Sequence, residues 1–173
     1  MGQVLSIEEL RERIREIEGS PRISHTRSPS GVPAIDELVG GLVRPGLLEL
    51  AGAPGSGAVS LGMALVAAEN DQRRRAAWID GERSLYPPSA ADHGVDLDRM
   101  LIVRPPAAGT RGGQRPDLWA IEQLLRSGCF RLVVATIEGQ LPRFAGNRWR
   151  QAAEHGGCTG VLITRQPSRD LQP

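Results

Sequence analysis

GLLELAGAPGSGAVSLGMALV, residues 46–66, is the stretch on which the reading of the whole chain turns. Gly46 to Gly52 is a short apolar strand running into a glycine-rich turn. Ser60 to Asn70 follows as a helix, with Leu61, Ala64, Leu65 and Ala68 on one side. Strand, glycine turn and helix in that order form the setting of a phosphate-binding loop, G-x-x-x-x-G-K-[ST]. In such a loop, glycines let backbone N–H groups close around phosphates and the helix N-terminus adds its positive dipole. A lysine reaches the outer phosphates, and a serine or threonine hydroxyl holds Mg²⁺. Here Gly52, Gly55, Ser56 and Gly57 keep the shape of the loop. Ala58 stands at the lysine position and Val59 at the hydroxyl position, so neither the charge nor the metal oxygen is supplied. Ser60 lies one residue late, and a step of one along a helix turns a side chain by about 100°.

Outward from the loop, the chain alternates strands and helices. Ala76 to Asp80, Met100 to Val103, Arg131 to Thr136 and Thr159 to Thr164 are apolar runs of strand length. Helical patterns lie between them at Ser89 to His93, Asp117 to Ser127 and Arg148 to His155, and Pro105 to Pro116 is an irregular loop. Near-continuous apolar strands alternating with helices predict an α/β domain, its mostly parallel sheet covered by helices on both faces.

At the other end, residues 6 to 18 are patterned as an amphipathic helix. Ser6 and Glu9 form a capping box, and Ile7, Leu10, Ile14 and Ile17 share one face. Gly19 ends the pattern. The Ser-, Pro- and Arg-rich stretch that follows reads as a linker. The expected organisation is therefore a helix over 1–19, a linker over 20–33 and a core domain over 34–173. The apolar stripe of the helix needs cover, from the body of its own chain or from a partner.

Composition narrows the classes. The 173 residues carry a formal charge of +1, and all 21 basic residues are arginine. So small a net charge argues against a domain wrapped in nucleic acid, although Arg143, Arg148 and Arg150 are candidate phosphate contacts. Cys129 and Cys158 are not in CxxC spacing, and His25, His93 and His155 are scattered, so no metal site is expected. With no signal pattern at the N-terminus and no apolar run near the ~18 residues of a membrane span, a cytoplasmic protein without membrane contact is expected.

The stretch from Ser28 to Val66 resembles the bacterial recombinase RecA and its relatives. The shared order is Gly31, Ala34-Ile35-Asp36, Gly40-Gly41, Pro45-Gly46, Glu49 and the loop. Ile79-Asp80-Gly81-Glu82 resembles the family segment ending in the catalytic glutamate. Leu124 to Val134 resembles the helix, Ser-Gly turn and strand that lead to the Walker B aspartate, whose place is taken by Ala135. Leu162 to Gln166 resembles the strand ending in the glutamine that senses the γ-phosphate.

The resemblance implies a RecA-like core, covering most of residues 28–166, in which lysine, hydroxyl and Walker B acid are all replaced, at Ala58, Val59 and Ala135. ATP binding and hydrolysis are then not expected, and no cofactor is assigned. Glu82 and Gln166 remain as vestigial positions, a strand-end carboxylate and a surface amide once no nucleotide is placed.

The N-terminal helix joined to a core with a degraded loop is most similar to the ImuA family of SOS-mutagenesis cassettes. That likeness implies a non-catalytic accessory role in translesion synthesis. It implies partners in RecA and an ImuB-type Y-family polymerase homologue, self-association as a further possibility, and only weak or indirect DNA contact. The partner face would be Ile7, Leu10, Ile14 and Ile17. The alternatives are an atypical ATPase in which Arg44 or a partner's arginine replaces the lysine, an arginine-driven DNA-binding module, and a cell-division inhibitor of the same SOS regulon.

Overall fold

The computed structural model describes residues 25–69, 75–107, 109–110, 114–143 and 145–168. The N-terminal stripe of Ile7, Leu10, Ile14 and Ile17 lies outside the described residues. A small antiparallel pair comes first: β1 (Thr26–Ser28) against β2 (Leu42–Arg44), with helix α1 (Pro33–Val39) between them. The stretch expected to be a linker thus contains a strand. Its polar composition hides it, because three residues paired to a distant partner leave no periodicity to read. Pro33 opens α1, and the Asp36 carboxylate accepts a hydrogen bond from the Ser30 amide at 2.8 Å. This helix was not separately anticipated.

The main sheet is parallel throughout. It comprises β3 (Gly46–Ala51), β4 (Arg75–Asp80), β5 (Met100–Val103), β6 (Phe130–Ile137) and β7 (Thr159–Thr164), in the spatial order β3-β7-β6-β4-β5. The crossovers carry α2 (Ala58–Ala68), α3 (Pro87–Asp92) with a 3-10 turn at Leu97–Arg99, α4 (Pro116–Arg126) and α5 (Ala145–Gly156). This is the expected α/β core.

Alternation along the strands builds two cores. Trp78, Leu132, Val134, Val161 and Ile163 face the side of α1, α2 and α3, where they meet Ile35, Met63, Leu65, Val66 and Ala90. Their neighbours Ala77, Ile79, Val133, Ala135 and Leu162 face α4 and α5, against Leu118, Ile121, Leu125, Trp149 and Ala153. Burial on both faces is why these strands read as continuous apolar runs. A register shift between Arg75 and Ala76 lets β6 carry one extra residue, Arg131. Phe130 consequently joins the α4–α5 core, out of phase with Leu132.

Candidate functional site

The order of the sheet places β7 between the loop strand β3 and β6, and in register Ala51, Thr164 and Ile137 end level. Beyond that row the chain turns at Gly52 and opens a cleft of 360 Å³ between the loop 52–60 and the ends of β4, β6 and β7. The carboxyl ends of parallel strands are where α/β sheets place ligands.

The loop keeps the backbone of a cradle. Gly55 and Gly57 hold φ of +84° and +88°, in the left-handed region that glycine tolerates. Gly52 packs beneath the Ser56 side chain, where a Cβ would collide. The Ser56 amide donates to the Ala53 carbonyl at 3.0 Å, and Gly57 then starts α2 by accepting from the Leu61 amide at 2.8 Å. The N-cap, Gly57, has no side chain to offer, and the Ser56 hydroxyl accepts from the Ala58 amide at 3.4 Å.

At the lysine and hydroxyl positions of the loop the side chains are apolar. Ala58 is half-buried against the core on the α2 side, and Val59 and Ser60 are exposed along the cleft. Where a lysine and a threonine would meet a triphosphate, two hydrocarbon side chains line the wall.

On the opposite wall the structure separates residues that sequence order had grouped. Ala135 is fully buried among the α4–α5 core, in one row with Ile79 and Leu162. The β6 residue that lines the cleft is Thr136, whose hydroxyl donates to the Ile79 carbonyl at 3.4 Å. In this register even an aspartate at 135 would point away from the loop.

The nearest fully buried carboxylate, Asp80 at the end of β4, is already spent. It accepts from the amides of Ser84 and Leu85 at 2.9 and 3.2 Å and from the Arg104 guanidinium at 3.0 Å, closing the turn that follows the strand. The importance of Asp80 and Thr136 was not anticipated. Period-two alternation counted back from the end of β6 is the signal that finds Thr136.

Glu82 does line the cleft. Its carboxylate lies 3.7 Å from the Arg165 guanidinium, which is also 3.6 Å from Glu138. Gln166 is exposed and is not among the cleft-lining residues. The turn carrying Arg165 and Gln166 is pinned by Glu49 on β3, which accepts from the Thr164 hydroxyl at 2.7 Å and the Ser168 amide at 3.0 Å.

One arginine assignment is corrected, and the structure gives another a partner. Arg44, offered as a stand-in for the missing lysine, lies at the other end of β3 from the loop, next to Gly46. There it pairs with buried Glu69 and donates to Ser28 at 2.7 Å. Six strand residues at about 3.3 Å each separate it from Gly52. Arg148, offered as a DNA contact, holds buried Glu122 of α4 at 2.7 Å, with Arg126 at 3.4 Å on the same carboxylate. Arg143 is exposed and Arg150 half-buried, and neither has an ion-pair partner among the described residues. Among the described residues no three His, Cys, Asp or Glu gather to hold a metal, and no helix is long and apolar enough to cross a membrane.

Comparison with known proteins agrees with this architecture. The RecA N-terminal domain family matches residues 5–143. Protein RecA of Streptomyces ambofaciens is 31% identical over 139 residues, covering 79% of this chain and 36% of its own length. Protein RecA of Acidothermus cellulolyticus is 32% identical over 162 residues, covering 79% and 45%. The chain therefore spans less than half the length of these relatives. Among solved structures, that of SulA from Pseudomonas aeruginosa is similar in fold, with a TM-score of 0.53 at 22% identity, covering 68% of this chain and 94% of that one. A parallel sheet with β7 set between the loop strand and β6, a cradle at the head of α2 and a family match running from residue 5 to 143 lead to one placement: the chain belongs to the RecA N-terminal domain family.

Proposed function

We propose that this chain is a non-catalytic RecA-like protein of the SOS response that acts by contact with other proteins. The observation that carries the reading is the chemistry of the cleft. Its loop has hydrocarbon at both phosphate- and metal-binding positions, and the buried carboxylate at the end of β4, Asp80, is committed to the turn that follows the strand. A cradle of backbone N–H groups alone does not place a metal or activate a water. Titration of the purified chain with ATP and Mg²⁺ tests this. Affinity weaker than about millimolar (~ −4 kcal/mol) and no phosphate release are expected; tight binding with turnover would reverse the reading.

Restoring the loop residues separates binding from chemistry. Ala58→Lys with Val59→Thr is expected to raise ATP affinity at least tenfold and to leave phosphate release at background. The added lysine meets phosphate, while position 135 faces the core and Asp80 is engaged. Mg²⁺-dependent turnover in that variant would show a metal anchor elsewhere in the cleft.

Two finer readings differ in partner. The ImuA-like reading assigns RecA and an ImuB-type polymerase homologue as partners, through Ile7, Leu10, Ile14 and Ile17. In it, Leu10→Asp with Ile14→Asp abolishes capture of both from solution while circular dichroism of the core is unchanged; capture that survives rules the stripe out. The second reading is a cell-division inhibitor of the same regulon, and the likeness in fold to SulA from Pseudomonas aeruginosa supports it. Expression in cells discriminates: filamentous growth at unchanged damage-induced mutation frequency supports the inhibitor, and the converse supports the polymerase accessory.

A further inference from the structure

Helix α1 turns one side chain inward and leaves others in water. Ile35 is buried in the core, whereas Leu38 is 83% and Val39 40% exposed. Ala34, four residues before Leu38 and so on the same face, is exposed as well. A lone exposed leucine is ordinary; the position of this one is not. The chain enters the described structure beside it. His25 bonds the Pro45 carbonyl at 2.9 Å, β1 begins at Thr26, and the Arg27 guanidinium donates to the carbonyls of Val39 and Gly41. The other large apolar side chains that stand exposed among the described residues are remote from that entry. Val59 is on the cleft wall. Tyr86, Leu97 and Leu101 lie in β5 or in the crossover leading to it. β5 is four strand spacings from β3 across the sheet, roughly 19 Å.

We propose that the chain's own N-terminal segment covers this face, with Ile7, Leu10, Ile14 and Ile17 laid over Ala34, Leu38 and Val39. The reach suffices. Ten residues separate Ile17 from Arg27 in the sequence, enough to span about 33 Å when extended. As a helix the stripe is about 15 Å long, and α1 is about 10 Å. The charges agree too. At 100° per residue Arg11 borders the stripe on one side and Arg13 on the other. Either direction of crossing therefore sets a guanidinium near Glu37, which is exposed next to Leu38. A short tether holds the segment at an effective concentration in the millimolar range. At micromolar protein the segment of the same chain thus wins over that of another copy. This deepens the reading of the stripe as a partner face, and its regulatory consequence rests on that reading: a partner must first lift the segment from α1.

The test uses the full chain and dilute trypsin, with cleavage after Arg11, Arg13 and Arg15 followed by mass spectrometry. Leu38→Asp is expected to speed these cuts about tenfold. Position 38 is at the surface, and an unchanged thermal midpoint confirms that the variant is folded. From the other side, Leu10→Asp with Ile14→Asp is expected to shift the backbone amide resonances of Ala34, Leu38 and Val39 and to leave those of β6 and β7 in place. Cleavage indifferent to Leu38→Asp, or resonances of α1 indifferent to the double change, would overturn the proposal. Protection that disappears on dilution through the micromolar range would overturn it as well, by assigning the cover to a second copy. Capture of a stripe-binding partner is expected to rise several-fold with Leu38→Asp. Protection that depends on Leu38 in a chain that captures no partner would keep the intramolecular cover and sink the partner reading alone.

Discussion

Replacing Glu69 with alanine is expected to cost about 3–5 kcal/mol of folding stability, read as a lower urea midpoint. Glu69 closes the C-terminal end of α2 and is 6% exposed. Arg44 pairs with one of its oxygens and Arg131 with the other, the latter at 2.7 Å. Burial pulls the Arg44 pKa below its ordinary range, and the Glu69 charge is the main influence opposing that pull, while Arg131 adds to it. Without Glu69, a guanidinium whose side chain is only 10% exposed keeps its desolvation cost and gains an unscreened like charge. The loss also frees β2 from α2, so the chain leading to β3 loses its anchor. Replacing the pair together, Arg44→Met with Glu69→Met, is expected to recover most of the stability, because apolar side chains of similar volume carry no desolvation cost. If Glu69→Ala moves stability by less than about 1 kcal/mol, the triad is a surface-like pair and contributes little.

Trp78→Ala is expected to destabilise by a similar amount, about 3–5 kcal/mol. Trp78 is 1% exposed in β4, between Val134 of β6 and Ile102 of β5. Its indole passes under α2 at Gly62. A Cβ at Gly62 would stand 3.2 Å from the indole and 3.0 Å from Ile163. That close approach sets how α2 lies on the sheet, and with it the placement of the loop at its head. Gly62→Ala alone should cost about 1–3 kcal/mol through overpacking. In the Trp78→Ala background the same change should become neutral or favourable. The space has opened, and alanine is the better helix former by about 1 kcal/mol. The sign reversal is the informative outcome, since only residues in contact couple in this way. Additive effects of the two changes would mean that α2 is positioned by other contacts.

Much of the fold is legible from residues alone. Met100 to Val103 and Thr159 to Thr164 agree with the sequence reading residue for residue, and the other strands agree to within a residue at each end. Their double-sided burial enriches them in apolar residues so strongly that no partner need be known. The helix after the loop starts two residues earlier than expected, at Ala58, because Gly57 in its left-handed conformation already accepts the first helical bond. What stayed hidden was β1, α1 and β2. These elements are only three to seven residues long, too short to show a period, and they are held by contacts such as Ser30 with Asp36 and Arg44 with Ser28.

The candidate site divides in the same way. That Ala58 and Val59 cannot hold phosphate or metal follows from side-chain chemistry and needs no coordinates. That Thr136, and not Ala135, faces the loop follows from strand register, which sets which side of the sheet each residue sees. The commitments of Arg44, Arg148 and Asp80 also needed the fold. Each charge looks free along the chain, and its partner stands 4 to 26 residues away. Local chemistry and periodicity travel with the sequence, so the class of fold and the replacement of the cradle's lysine and hydroxyl by hydrocarbon were written there. Ion pairs and the shared Arg165 at the cleft rim depend on which strand ends lie side by side, and only the closing of the parallel sheet decides that.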